Sequence, residues 1–473
     1  MINENSPLTF LDYFFHPRSI VVIGVSPGVD ENRFGGQYFL RSLVAAAYPG
    51  RLYAVGIEDG DYRGIKVYPR ITDIPDDIDY AIIAAPARAV PQILRECVEK
   101  HVPAAHVFSA GFGELGDETG YMLESELAGI ARQGKIRFIG PNCMGIYCPG
   151  CGLSFNHKFT TKKGSLAFVS QSGSNAEYAV QMGMRRGVYF SKVVSYGNGV
   201  DVAESDLLEY LAADPETKVI VLYIEGVRDG RRFFKVLRQA ARRKPVIIYK
   251  GGTTETGART VLSHTSALTG SAVVWKTAIN QAGAIMANDI DEFLDLALLF
   301  NYTEFPADRN IAVIGIGGGF SVFAADNLAS AGLNLPRFSP ELRQSLKQLF
   351  GSEAGASYKN PVEVFGWNTL QKLPDVIRLV AASKETDNIL VHLPVGFVNA
   401  VTPGMVESEV DLLTTLPPEI KKHTVIVLFA LFTPEDAGIN IRLEKKLAEA
   451  GLPVFPSVPR AANALSKFIQ YNS

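Results

Sequence analysis

Cysteine is scarce, with only Cys97, Cys143, Cys148 and Cys151 in 473 residues. So few in so long a chain exclude a disulfide-stapled scaffold. No run of ~18 apolar residues occurs, so no membrane-spanning helix is predicted. The opening MINENSPLTFLDYFFHPRS has no basic segment followed by an apolar one. It does not read as a secretory signal, and a cytoplasmic setting without membrane contact is expected. Charge of one sign is missing too: the formal net charge is −3, and the basic runs RRGVYFSK and ARRKP are short and flank predicted strands. They read as solvated helix ends, so no nucleic-acid partner is expected. Apolar residues make up 47% and charged residues 20%, an ordinary globular balance. At roughly 100–200 residues per domain, the length suggests about three.

Three of the cysteines cluster in sequence, and Cys148-Pro149-Gly150-Cys151 has the spacing of a metal or redox pair. A four-ligand zinc site would need another partner, and a second CxxC is absent. His157 is the nearest residue able to serve. The alternative is reduced thiols in a loop, and no metal site is assigned.

Short apolar runs ending in Gly, Ser or Pro mark the strands. They are SIVVIGVS (19–26), RLYAVG (51–56), YAIIAAP (80–86), AAHVFSAGF (104–112) and IRFIGPN (136–142), with helix-like stretches between them. Fully apolar strands alternating with helices predict a parallel sheet covered on both faces, a doubly wound domain over residues 1–150. A second series spans 151–300, with SLAFVSQSG (165–173), FSKVVSYGN (190–198), KVIVLYIEG (218–226) and KPVIIYKGG (244–252). DIDEFLDLALLF (289–300) is expected to close it as an amphipathic helix. The polar 301–309 reads as a linker. A third series over 310–473 holds NIAVIGIGGG, DNILVHLP, HTVIVLFA and LPVFPS. The fold class is therefore α/β, three tandem domains with mainly parallel sheets.

A strand that ends in small residues and opens a helix presents backbone N–H groups at the positive end of the helix dipole. Such a terminus binds phosphate. Ser170-Gln171-Ser172-Gly173 and Gly315-Ile316-Gly317-Gly318-Gly319 have this form. The bland alternative is glycine serving a tight βα turn. The first turn, Gly24-Val25-Ser26-Pro27-Gly28, is not GxGxxG. The nearest candidates for a ribose-binding acid, Glu58 and Asp59, come 34 and 35 residues after Gly24. That spacing disfavours a nicotinamide site, where an acid is expected about 20 residues on, and leaves another nucleotide-bearing ligand open.

Of seven histidines, His16, His101, His106 and His423 read as incidental residues at element edges. His264 lies in LSHTSALTG (262–270), read as a small, polar, sterically open loop. Its neutral imidazole is a nucleophile able to accept a phosphoryl group if an acceptor fixes the other nitrogen. Glu225, ending KVIVLYIEG at a carboxyl edge, is the candidate acceptor. A surface histidine is the alternative on chemistry alone.

The chain from Pro17 to about Gly366 resembles the α subunit of ADP-forming acetyl-CoA synthetases, and more distantly that of succinyl-CoA synthetase. The segments that carry the likeness are PRSIVVIGVS, AIIAAPARAVPQILREC, SAGFGELG, IRFIGPNCMGI, AFVSQSG, VSYGNGVDVAESDLLEYLAADPETKVIVLYIEGVRDGRRF, KPVIIYKGG and SHTSALTGS. The resemblance implies a Rossmann-like CoA-binding domain followed by two flavodoxin-like domains. It also implies an enzyme that interconverts acyl-CoA, ADP and phosphate with carboxylic acid, CoA and ATP through acyl phosphate and phosphohistidine.

It assigns the phosphorylated histidine to His264 and its supporting acid to Glu225. The phosphate-clamping helix termini fall at Ser170, Gln171, Ser172 and Gly173 and at Gly317, Gly318 and Gly319. The CoA loops fall at Val25, Ser26 and Pro27, at Ala85 and Pro86, and at Ser109, Ala110 and Gly111. Gln171, Ser174, Asn175 and Glu177 are candidates to line an acyl pocket. No ATP-grasp segment is recognised, so ATP/ADP and Mg2+ are expected on a separate ATP-grasp β subunit in an α2β2 assembly. A CoA-binding regulatory or scaffold protein of the same fold is the competing reading. Where the family reads SHTGALAG, NAGGPG and NPVD, this chain has SHTSALTG, GIGGGF and Asn360-Pro361-Val362-Glu363.

Overall fold

A computed structural model of the chain describes residues 7–26, 34–57, 60–265, 270–304, 306, 308–315, 317–350, 357–364, 371–429 and 433–472. The chain divides into two compact units. The first holds Met1–Gln181 and Tyr189–Ile290, the second Met182–Val188 and Asp291–Ser473.

The first unit contains two sheets. One is built from β1 (Ser19–Ile23), β2 (Arg51–Val55), β3 (Gly60–Tyr62), β4 (Ile65–Tyr68), β5 (Tyr80–Ile83), β6 (Ala104–Val107) and β7 (Arg137–Ile139), in the order β3-β4-β2-β1-β5-β6-β7. All pairs are parallel except the β3–β4 hairpin. The other holds β8 (Gly145–Tyr147), β9 (Leu166–Ser170), β10 (Phe190–Ser195), β11 (Val219–Ile224), β12 (Val246–Lys250) and β13 (Ile285–Ala287), in the order β13-β12-β11-β9-β10-β8. Here β8 is an antiparallel edge strand on β10. The central strands are mostly apolar because both faces are covered: β1, β5, β9 and β11 have no exposed residue.

The second unit is built on β14 (Ile311–Gly315), β15 (Ser357–Tyr358), β16 (Val362–Glu363), β17 (Asn388–Pro394), β18 (Thr424–Phe429) and β19 (Val454–Phe455), ordered β15-β16-β14-β17-β18-β19. One apolar cluster includes Ile314, Val391 and Leu447, and another includes Val313, Leu390 and Phe468. The alternating strand residues feed opposite faces, as the period of two requires.

In all three sheets the first long parallel strand (β1, β9 or β14) is central, with a parallel neighbour on each side. The crossovers therefore leave in opposite directions from its carboxyl end, which opens a crevice there. The three glycine- and serine-rich turns singled out from sequence all follow these strands.

Several expectations are corrected. The helix Ile290–Tyr302, expected to close the second series, groups from Asp291 onward with the second unit. Leu299 joins the apolar cluster that holds Phe468, and the carboxylate of Asp295 receives Arg186 at 2.6 Å and Arg460 at 2.7 Å, all within the second unit. His106 is not at an edge. It sits inside β6, fully buried, with Nε2 2.9 Å from the Cys143 carbonyl, and burial pushes its pKa down to about 4. A helix over Pro7–Phe15 was not anticipated from sequence.

Candidate functional site

The first sheet brings three loops together at its carboxyl edge. Gly24 takes φ +94°, and a Cβ there would lie 2.1 Å from the Ala84 carbonyl oxygen. The β1 turn and the β5 turn therefore touch through bare backbone, which only glycine allows. Val25 N–H donates to the Val55 carbonyl at 3.0 Å, and the Ser109 hydroxyl donates to the Ala85 carbonyl. Gly111 N–H donates to Glu114 Oε1 at 2.6 Å. Val25 and Ser109 are buried, Ser26, Ala85 and Gly111 are half-buried, and Pro86 and Ala110 are exposed. Ser109 and Ala85 thus tie two of the predicted CoA loops together, Val25 holds the β1 turn to β2 and Gly111 braces its own loop, while Pro86 and Ala110 are exposed. Pro27 lies outside the described residues, as do Gly28, Glu58 and Asp59.

At the second sheet the chain leaves β9 at Ser170 and enters the helix Gly173–Arg186. Ser172 caps this helix, its Oγ accepting Asn175 N–H at 3.3 Å, and Ser170 Oγ braces the turn through the Ser172 carbonyl at 2.6 Å. Gln171 is buried. Its Oε1 accepts Glu225 N–H at 2.8 Å and Gly226 N–H at 3.2 Å, so the turn and the end of β11 are held as one piece.

Glu225 is buried just past β11, its Oε1 accepting the Tyr223 hydroxyl at 3.0 Å. The Lys250 ammonium, also buried, donates to the Glu225 carbonyl at 2.7 Å and to the Gly251 carbonyl, and stands 5.2 Å from the Trp275 ring centre. Burial lowers the Lys250 pKa to about 8 against the opposing pull of Glu225. Lys250 was not singled out from sequence. Its signal is a lone cation ending an apolar strand, VIIYK.

His264 is not in a loop. The backbone from Glu255 to Thr265 is helical, started by Thr254, whose Oγ1 accepts Gly257 N–H at 3.1 Å. His264 belongs to the last turn of this helix. Its side chain lies outside what the structure describes, as do residues 266–269. The helix packs against Gly113–Leu115, the segment directly after the Ser109–Gly111 loop. A buried polar cluster braces the same place: Asn198 Nδ2 donates to Glu114 Oε2 at 2.6 Å and to Glu124 Oε1 at 2.7 Å, and Arg228 reaches Glu124 at 3.3 Å. None of these residues was singled out from sequence.

A cavity of about 270 Å³ joins the two carboxyl edges of the first unit. Phe34, Phe108 and Asn142 line it from the first sheet's side, and Gln171, Ser174 and Glu177 from the helix that opens at Gly173. Of the four residues expected to line an acyl pocket, all but Asn175 are on this wall.

In the second unit, Gly317 takes φ +92° and the helix Gly318–Ser330 begins after it. Ile316 lies outside the described residues. Glu363, at the end of β16, brings its carboxylate to this terminus: a Cβ on Gly318 would be 3.5 Å from its Oε1. A second cavity of about 500 Å³ lies beside it, walled by Phe320, Phe323, His392, Val427 and Phe429. His392, buried on β17, has its ring centre 4.2 Å from that of Phe320, and burial lowers its pKa to about 4.

Cys148 and Cys151 lie together, but Cys143 and His157 do not join them. Cys151 Sγ meets His16 Nδ1 at 3.2 Å, Cys143 lies under the Val107 carbonyl, and His157 stands edge-on to Tyr38. Among the described residues no group of three or more His, Cys, Asp or Glu side chains is placed to hold a metal ion.

These features define an α/β protein whose first unit opens a cavity between the carboxyl edges of two parallel sheets. Residues 18–149 match a CoA binding domain, and residues 163–300 match a succinyl-CoA ligase like flavodoxin domain. The chain is 39% identical over 461 residues to the α subunit of acetate–CoA ligase [ADP-forming] II of Pyrococcus furiosus, covering 97% of each. It is 34% identical to acetate–CoA ligase [ADP-forming] I of Archaeoglobus fulgidus, spanning 98% of this chain but 64% of that longer one. A solved structure titled as a dinucleotide-forming acetyl-coenzyme A synthetase 1 of Ca. Korarchaeum cryptofilum, with phosphate and ADP, superimposes with a TM-score of 0.82 at 27% identity, covering 98% and 97% of the two chains. The chain belongs to the ADP-forming acetate–CoA ligase family.

Proposed function

We propose that the chain is the α subunit of an NDP-forming acyl-CoA synthetase. It interconverts acyl-CoA, ADP and phosphate with carboxylic acid, CoA and ATP. Phosphate attacks the thioester carbonyl and CoA leaves as the thiolate, giving an acyl phosphate. An imidazole nitrogen of His264 then attacks phosphorus and the carboxylate leaves, giving phosphohistidine. A separate ATP-grasp β subunit passes the phosphoryl group to ADP and brings its own Mg2+.

In this reading the loops at Val25–Ser26, Ala85–Pro86 and Ser109–Gly111 bind CoA. The Ser170–Gly173 turn holds the phosphate against the helix dipole. Glu225 accepts the N–H of the imidazole and so keeps the attacking nitrogen unprotonated. Gly317–Gly319 is a second phosphate-binding terminus. The observation that carries the reading is the cavity joining the CoA-loop edge to the Ser170–Gly173 turn, with Gln171 fastening that turn to Glu225. The helix of His264 packs on the segment that follows one CoA loop.

A second reading has one observation in its favour. The Glu363 carboxylate at the start of Gly318–Ser330 occupies the place an anion would take, as suits a CoA-binding regulatory protein without turnover.

One experiment separates the two. The chain and its partner are incubated with radiolabelled ATP and Mg2+. An acid-labile, base-stable label on wild type that His264→Ala abolishes is the expected result. No label on wild type, or equal label on His264→Ala, refutes the phosphohistidine. CoA binding without label supports the regulatory reading.

A further inference from the structure

The CPGC tetrapeptide has no part in the proposed reaction. Cys148 follows the edge strand β8 and pairs with Leu153 through two backbone hydrogen bonds, 2.9 and 3.1 Å. Pro149–Cys151 form a single tight turn closed by Cys151 N–H on the Cys148 carbonyl at 3.0 Å. Gly152 leaves the turn with φ +71°, and a Cβ there would lie 2.7 Å from the Tyr48 Cα. The loop's shape is thus imposed by its neighbours, and it turns the two sulfurs toward each other.

The two thiols have unlike surroundings. Cys148 is fully buried, and its thiol hydrogen-bonds to Cys151. Cys151 is half-buried, with Sγ 3.2 Å from His16 Nδ1. The titratable groups facing the pair include His16 and Asp12 from the N-terminal segment, Tyr48 ahead of β2, Tyr147 on β8, Lys192 on β10, Tyr210 from the helix before β11 and Glu216 just before β11. Lys192 is wholly buried and held by Asp214 at 2.8 Å and Glu216 at 2.9 Å.

We propose that Cys148 and Cys151 form a thiol–disulfide exchange site for low-molecular-weight disulfides, with Cys151 as the attacking sulfur and Cys148 as the resolving one. Three features make the division of labour physical. The hydrogen bond from the Cys148 thiol, followed by the His16 contact and the Lys192 charge, lowers the Cys151 pKa. The bond to Cys151 and burial keep Cys148 protonated, its pKa pushed far up. Cys151 in turn raises the pKa of His16, so thiolate and imidazolium each favour the charged form of the other.

The Cys151 thiolate attacks one sulfur of R–S–S–R. The old S–S bond breaks, and RS⁻ leaves with the proton of the His16 imidazolium. Cys148, freed of its bond to the Cys151 thiolate, gives up its proton and attacks Cys151 Sγ as the thiolate; the second RS⁻ leaves and takes up that proton. The products are a Cys148–Cys151 disulfide and two RSH, with two electrons passed from the protein dithiol to the disulfide.

The test uses the full chain and glutathione disulfide. After acid quench and denaturation, free thiols are counted by a maleimide–polyethylene glycol gel shift, and peptides are mapped. Wild type is expected to lose two of its four thiols, with the bridge mapped to Cys148–Cys151. Cys148→Ser is expected to stop at one glutathione on Cys151, and Cys151→Ser to take none. In the Cys148→Ser background, adding His16→Asn is expected to slow iodoacetamide alkylation of Cys151 at pH 6 by about tenfold. Four free thiols in folded wild type after excess glutathione disulfide would overturn the proposal. So would a bridge or adduct mapping to Cys97 or Cys143. The wild-type count needs no variant to fold, and it reads nothing of phosphoryl transfer.

Discussion

Replacing Gln171 with Leu removes the acceptor that holds two backbone N–H groups, those of Glu225 and Gly226, at 2.8 and 3.2 Å. Side-chain volume is nearly kept, so packing changes little. Each buried donor left without an acceptor costs about 1–3 kcal/mol, which for two gives roughly 2–6 kcal/mol. Gln171 lines the cavity, and water entering there can satisfy one N–H. The lower part of the range, about 2–3 kcal/mol, therefore applies. For a unit this large that lowers Tm by roughly 4–8 °C in scanning calorimetry. The same change frees Glu225 to move relative to the Ser170–Gly173 turn. A displacement costing about 1.4 kcal/mol in the phosphoryl-transfer step slows labelling about tenfold. Gln171→Glu separates the two effects. A carboxylate still accepts both N–H groups, so Tm recovers, whereas its charge in a phosphate-binding turn keeps labelling slow. Gln171→Leu melting within about 1 °C of wild type and labelling within about twofold would refute the reasoning.

Three further outcomes are expected. Asp295→Asn leaves the guanidinium of Arg186, 3% exposed, without its 2.6 Å partner, with Glu444 still 3.6 Å away. The expected cost is about 3–5 kcal/mol in denaturant unfolding, with Arg186→Met/Asp295→Asn losing less than the sum of the two single changes. A cost under about 1 kcal/mol would contradict this. Gly24→Ala places a Cβ against the Ala84 carbonyl at φ +94° and is expected to weaken CoA binding about tenfold or more by calorimetry, and unchanged affinity would remove the β1 turn from the CoA site. Lys250 titrates near 8 when folded and about 10.4 when unfolded, so between these values the unfolded state binds more protons and stability rises with pH. Lys250→Met is expected to abolish that part of the rise, measured as the pH dependence of the unfolding free energy, and a stability difference constant across the window would show that Lys250 is not perturbed.

The strands were readable because their signal is local. A run such as VIVLYI is apolar at every position only when both faces of a sheet are covered. The short strands β3, β4, β15 and β16 were not, since two to four residues carry too little pattern against turn residues. His264 was misread as a loop residue because LSHTSALTG is rich in Ser and Thr, which favour turns. The apolar spacing of its helix comes earlier, up to Val261. The helix Ile290–Tyr302 shows the limit of amphipathicity: its apolar face was plain, but the pattern does not say which sheet it covers.

The sequence by itself determined the alternation of strand and helix, the longer strands and the small-residue turns that follow three of them. Each follows from periodicity and from what glycine and serine permit in a few consecutive residues. Only the tertiary structure decided the pairings: Gln171 on Glu225, 54 residues apart, Asn198 between Glu114 and Glu124, Arg186 on Asp295, and His16 on Cys151 across 135 residues. Those contacts depend on strand order and on the directions in which the crossovers leave each central strand. No local pattern encodes that, because neighbouring strands in a parallel sheet are placed by how helices pack over them.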